Sequence, residues 1–352
     1  MNHASRWKAA LTGWAENAGI AGIAGIAGLG LGALCAGAQP AGAETLRLGD
    51  FQSTSHIVSV EGTTRWMKAV EEATGGAIGF EHFPSQQAAK SKAQLDAVNN
   101  GILDAALLGT LYHAEALPLN SVVGLPGFYG SAVKGTAALQ TLLAEGPLRE
   151  ELLAAGVTPI FGFVLPPYQV LAKARLGAPA DWDALDVRTS GSTQAMTARS
   201  LGAVGISIPG PEVYTAVERG RLDAVLFPLA SVPGYKLNEV VSHISTNGSF
   251  GGYSFVMVVR SDLFDALPEE VQATMLALGA ETATHVAAVQ DASVAGLLEE
   301  WRAQGIDTYA FSDAELEELT RAMEMVSQDW QDRIGHDGAA AVLARYRELA
   351  AD

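Results

Sequence analysis

Apolar positions along this chain fall into two alternating rhythms. Short apolar runs closed off by glycine, proline or charge read as strands. Between them apolar residues recur every three or four positions, as on one face of a helix. Residues 45–51 (TLRLGDF) predict a first strand. Residues 59–74 predict a helix with Val60, Thr63, Met67 and Val70 on one side, stopped by Gly75-Gly76. A second strand at 78–83, a helix at 87–100 closed by Gly101, and a third strand at 102–108 follow. The alternation resumes with strands at 158–164 and around Arg188, a helix opened by Pro211, and a strand at 253–259. Strand and helix in turn are the pattern of an α/β protein.

Two segments echo each other. GILDAALL (101–108) and GRLDAVLF (220–227) share Gly, Leu, Asp, Ala and Leu in register. Each follows a helix and opens a strand: the glycine supplies a left-handed stop, and the apolar run enters a covered sheet. The echo predicts two similar lobes. From Leu263 onward the pattern is helical, with one helix opened by Pro268, Glu269 and Glu270, and a capping box at Ser312-Asp313-Ala314-Glu315.

The first 43 residues change the compartment rather than the fold. Arg6 and Lys8 precede an Ala/Gly/Ile/Leu run over 20–38, and Ala41-Gly42-Ala43 forms an A-x-A cleavage site, so residues 1–43 read as a signal peptide. The rival reading, a membrane anchor, needs about 20 strongly apolar residues, which this glycine-rich run does not supply. Cys35 lies inside that leader behind Leu34, where a lipobox wants a small residue, and it is the only cysteine. The exported chain therefore has no disulfide, thiolate nucleophile or cysteine metal site.

The formal net charge is −17 overall, and because Arg6, Lys8 and Glu16 give the leader +1, the remainder carries −18. Such a surface disfavours nucleic acid, which needs basic patches to displace counterions. It leaves room for an anionic ligand, because an arginine enclosed in a cleft outweighs distant, screened carboxylates. No acidic pair, HxxxH or cysteine cluster points to a metal, and no cofactor is implied.

Residues 186–228 (DVRTSGSTQAMTARSLGAVGISIPGPEVYTAVERGRLDAVLFP) are the most informative stretch. Arg188 stands at the end of a short strand, before a Thr-Ser-Gly turn and a helix, where its rigid fork of donors can meet a carboxylate. With ATGG at 73–76, FPSQQ at 83–87 and GILDAAL at 101–107, this stretch resembles the solute-binding proteins of tripartite ATP-independent periplasmic (TRAP) transporters, the DctP-type family. The resemblance covers nearly the whole chain after the leader. It implies an α/β fold of two lobes, each a mixed sheet flanked by helices, hinged by crossing strands and a long helix. The lobes expected are residues 44–165 with 253–285, and residues 166–252 with 286–352 including the C-terminal helices. It further implies a periplasmic receptor, a carboxylate-bearing organic acid as solute, Arg188 as its anchor, and TRAP permease subunits as partners.

Phe227 departs from the family pattern, which often has asparagine there, bonding the same carboxylate. Either another group makes that bond, or the solute offers an apolar or aromatic face, or Phe227 is plain core. In open α/β sheets ligands collect beyond the carboxyl ends of strands. That rule nominates His56, with Ser55, after the first strand, Gln87 after the second, and Gly109, Thr110 and Tyr112 after the third. It also nominates Tyr168 and Gln169 after the strand at 158–164, Gln194 after Arg188, and Phe250 and Tyr253 around a Gly-Gly. Each is also compatible with packing. An enzyme is the competing class, a periplasmic hydrolase or isomerase. Ser190-Gly191-Ser192 is not a G-x-S-x-G elbow, however, and no motif gathers acids and bases. No catalytic residue is assigned. An exported sensory ligand-binding protein is a third reading.

Overall fold

The computed structural model describes residues 44–335 and 337–351, so the leader expected over 1–43 lies outside the described residues. In chain order its strands are β1 (Glu44–Gly49), β2 (Ile78–Phe83), β3 (Ala105–Gly109), β4 (Val157–Val164), β5 (Gln169–Ala172) and β6 (Asp186–Thr189). They continue with β7 (Val204–Ser207), β8 (Ala224–Phe227), β9 (His243–Ser245), β10 (Ser254–Arg260) and β11 (Asp307–Tyr309). The first sheet has the order β2-β1-β3-β10-β4. In it β1 runs parallel to β2 and β3, and β10 antiparallel to β3 and β4. The second sheet, β7-β6-β8-β5-β9-β11, repeats that scheme and adds β11 as a parallel edge. Residues of β3, β4, β5 and β8 are all buried, which explains why these strands read as apolar runs instead of alternating ones.

Each sheet takes its fourth strand from a chain that has just left the other: β5 follows β4, and β10 follows β9. The two crossings run side by side, Tyr168 N–H donating to Gly251 O (2.9 Å), Phe250 N–H to Tyr168 O (3.1 Å) and Leu165 N–H to Tyr253 O (2.9 Å). Gly251 has φ +115° and lies against Gly124 O, so a side chain fits neither its backbone nor its surroundings. A third link is the 35-residue helix Glu269–Ala303. Its Ala283 and Val286 join the core containing Phe161 and Phe163 of the first sheet, and its Trp301 joins the core of the second. The capping box at Ser312 and Glu315 is present.

The echo is structural as well as sequential. Gly101 (φ +69°) and Gly220 (φ +67°) both make the left-handed stop that releases the chain into β3 and β8.

Three expectations are corrected. Of the expected inner face, Thr63, Met67 and Val70 are buried but Val60 is 42% exposed, because residues Ser59–Thr64 form a wider π-turn that shifts the phase and turns Gly62 inward. The helix expected at 87–100 is confined to Gln94–Asn99, after a loop in which Ser85 (φ 54°) and Gln86 (φ 63°) turn the chain left-handed. Residues 286–352 do not all follow the second sheet. Val342, Leu343 and Tyr346 of the last helix, Asp337–Ala350, join the core formed by helices Ala132–Ala144 and Pro147–Ala154 beside the first sheet. An apolar stripe at that spacing must bury somewhere, and Phe128 stacks on Tyr346 at 5.3 Å there.

Candidate functional site

β6 lies between β7 and β8, with Arg188 in register with Ile206 on one side and Val225 on the other. Arg188 as a whole is 1% exposed. Nε donates to Ile208 O at 2.8 Å, Nη1 to Leu226 O at 3.0 Å, and Nη2 to the Tyr112 hydroxyl at 3.4 Å. Three of the five guanidinium N–H groups are committed to these acceptors, and the Tyr168 hydroxyl also stands close enough to interact with the cation. Among the described residues no carboxylate pairs with it.

Tyr112 comes from the other lobe, in the 3-10 turn that follows β3, and its hydroxyl also accepts the Gly210 N–H at 2.8 Å. Gly210 opens the helix Gly210–Glu218 of the second lobe. One phenol oxygen thus clips the two halves together beside the cation.

Rings surround this point. The Phe227 ring lies 5.0 Å from the Arg188 Cζ, Tyr235 meets Phe227 edge-on at 5.5 Å, and Tyr168 lies 6.3 Å from it. From the first lobe, Tyr112 touches Phe51 (5.5 Å) and Tyr253 (5.2 Å). Tyr235 donates to Gln52 Oε1, a second bridge between the lobes, and His56 packs on Tyr235 at 5.0 Å. Burial holds the phenols of Tyr168, Tyr235 and Tyr253 above the ordinary range, so all three remain neutral O–H groups. Burial also pushes the His56 imidazole down to about 3, which leaves it uncharged.

Behind the rings lies an acid. Asp50 is fully buried; burial pushes its carboxyl up to about 6, against hydrogen bonds from Gln52 N–H (2.8 Å) and the Thr63 hydroxyl (2.8 Å). Two cavities open along the junction between the lobes. One, of about 450 Å3, is lined by Phe51, Gly234, Tyr235 and Lys236. The other, of about 730 Å3, is lined by Tyr112, Gly191, Ser192 and Ser207.

Of the residues nominated from sequence, Arg188, Phe227, Tyr112, Tyr168 and Tyr253 meet in this shell, with His56 one ring further out. Gln169 and Gln194 do not join it. Gln169 donates to Gly248 O (2.6 Å) and accepts from Gly248 N–H and the Ser245 hydroxyl. Gln194 donates to Gly252 O (2.9 Å) and accepts from Ser190 N–H. Both amides hold the crossing segment in place, because its buried backbone groups need partners. Phe51, Gln52 and Tyr235 were missed. The first two follow β1 directly and fall under the strand-end rule; Tyr235, in a Pro-Gly-Tyr turn, carries no such signal.

The chain resembles known proteins over most of its length. Residues 49–333 match the family described as bacterial extracellular solute-binding protein, family 7. The chain is 26% identical over 313 residues to a C4-dicarboxylate-binding periplasmic protein of Rhodobacter capsulatus, covering 84% of this chain and 90% of the relative. A TRAP solute-binding protein from Rhodoferax ferrireducens T118, solved with copurified benzoate, superposes with a TM-score of 0.81 at 24% identity, covering 88% of this chain and 98% of that one. One from Bordetella bronchiseptica, holding (R)- and (S)-mandelate, superposes at 0.79 and 22% identity, with 87% and 98% covered. Among the described residues no helix is long and apolar enough to cross a membrane.

Proposed function

The chain belongs to the bacterial extracellular solute-binding proteins of family 7, and from that membership we propose that it captures an organic acid between its lobes and delivers it to a TRAP permease. The observation that carries the reading is Arg188, 1% exposed at the junction and without a carboxylate among the described residues to neutralise its guanidinium. A buried lone cation is costly, and the fork of a guanidinium matches the paired oxygens of a carboxylate. The acids named for the relatives above support the same class of solute.

Capture drives closure in this reading. A solute that meets Arg188 of one lobe and the Tyr112 hydroxyl of the other favours the state in which both are present. Residues 44–165 with 253–285 form one moving body, accompanied by the helices Val326–Ile334 and Asp337–Ala350, and residues 166–252 with 286–323 form the other. Phe227, Tyr168, Tyr253 and His56 shape the space around the acid, and the bound molecule leaves unchanged, with no cofactor taking part. The leader over 1–43 is removed on export to the periplasm.

Native mass spectrometry of protein purified from cells tests this. The expected result is a small acid adduct that is absent from Arg188→Met preparations and is recovered chemically intact. An adduct retained by Arg188→Met overturns the assignment, and turnover of the recovered compound overturns the receptor reading.

A further inference from the structure

We infer that the acid taken by this site carries its carboxylate on an aromatic body, and that Phe227 is the residue selecting that body over an aliphatic dicarboxylate. This rests on the carboxylate reading above and adds the nature of the rest of the molecule.

The first argument is one of planes. A carboxylate in forked pairing lies in the plane of the guanidinium. In an aryl acid the ring is conjugated with the carboxylate and prolongs that plane. Here one face of the guanidinium is already backed by Phe227, its ring 5.0 Å from Cζ. Tyr235 stands perpendicular to Phe227 at 5.5 Å, and Tyr168 is tilted toward it at 6.3 Å. Tyr112, which shares its hydroxyl with Arg188, touches Phe51 and Tyr253 of the first lobe. A flat ring seated on Arg188 would find stacked and edge-on partners in this cluster, the arrangements that ring quadrupoles favour.

The second argument is one of charge. A dicarboxylate needs a second cation, and the shell holds none among the described residues. The nearby charged group is an acid, Asp50, fully buried and bonded to the Gln52 backbone, whose amide side chain takes the Tyr235 hydroxyl. His56, on the far face of Tyr235, is uncharged. Lys236 lies exposed at the outer edge of the 450 Å3 cavity. A second carboxylate inside the rings would lose its water without a partner, which is strongly unfavourable.

Titration calorimetry with benzoate, cyclohexanecarboxylate, succinate and neutral benzamide tests the inference on wild-type protein, Phe227→Leu and Phe227→Tyr. Wild type should bind benzoate about tenfold tighter than cyclohexanecarboxylate, and succinate weakest of the three acids. Phe227→Leu should bring the benzoate to cyclohexanecarboxylate ratio near one, while Phe227→Tyr keeps it. Because the readout is a ratio, partial unfolding of a variant does not mimic the result. Succinate binding tighter than benzoate, or a ratio unmoved in Phe227→Leu, overturns the aromatic inference and leaves the carboxylate reading standing. Benzamide binding as tightly as benzoate overturns the carboxylate reading, and no heat with any compound overturns both.

Discussion

The β1–β3 unit of the first lobe and the β6–β8 unit of the second are the same piece of scaffold carrying opposite charges. In each, an aspartate just before the later strand (β3 or β8) hooks the backbone of the earlier one. Asp104 accepts the Arg47 backbone N–H (3.0 Å) and returns its own N–H to Arg47 O (2.9 Å), while Asp223 does the same with Asp186 at 2.8 and 2.9 Å. The register then runs in step, Leu48 against Ala105 and Val187 against Ala224. One residue further the units part. The first has Gly49, where a Cβ would stand 2.5 Å from Leu103, followed by buried Asp50; the second has Arg188 followed by Thr189. A shared backbone fixes where a side chain leaves the sheet, and the residue type at that register position decides what the lobe can bind.

The comparison breaks first at Arg188. If the cation exists for a solute, Arg188→Met removes an unpaired buried charge while keeping an apolar stem. Acid binding should fall by about 3–5 kcal/mol, beyond calorimetric detection, while the ligand-free protein melts at the same temperature or higher. A melting temperature that drops sharply together with retained binding would assign the arginine to the fold.

Asp50 sharpens the contrast from the other side. Its folded-state carboxyl is raised to about 6 from an ordinary value of 3.8, so the folded state holds its proton where the unfolded chain has released it. Its contribution is fully present below the unfolded value and is lost as pH rises toward 6. Asp50→Asn should therefore match wild type in urea unfolding near pH 4 and exceed it by roughly 2–3 kcal/mol at pH 7. A gap that does not widen over that window means that Asp50 is relieved by a partner.

Tyr112 joins the two units, and Tyr112→Phe leaves the Gly210 N–H without its acceptor. The expected loss in affinity for any bound acid is about 1–2 kcal/mol, with small-angle scattering showing less closure on ligand addition. Equal closure in the variant would make the phenol a spectator.

The limits of sequence reading follow the same division. The scaffold around the candidate site was legible because it is made of backbone facts: strand ends, the echoed Gly-Leu-Asp-Ala, and an arginine before a glycine turn. β2 falls on its expected residues for the same reason. What failed depends on partners. A glutamine beside a cleft looks the same in sequence whether it meets a solute or, like Gln169 and Gln194, a buried carbonyl. Only Val60 on the face of 59–74 was misplaced, because a π-turn changes the period without any residue that announces it. Tyr235 reaches the shell only through folding of the second lobe.

The smallest test concerns the hooks themselves. Asp104 and Asp223 occupy equivalent places but differ in surroundings. Asp104 also takes a forked contact from the Arg47 guanidinium (2.9 Å) and lies 3.5 Å from Arg260, whereas Asp223 is exposed. Burial opposes the charge of Asp104, yet Arg47 and Arg260 together hold its carboxyl below the usual range. If the hook is mainly a backbone device, each Asp→Ala should cost about 0.5–1.5 kcal/mol for the lost N–H partner, and the two should match. If the arginines matter, Asp104→Ala should cost about 1 kcal/mol more, and that excess should shrink in 1 M salt while the Asp223→Ala cost stays constant. Equal costs at both salt concentrations would mean that the repeated aspartate is kept for the turn it closes, with the surrounding charges adding nothing to the first lobe.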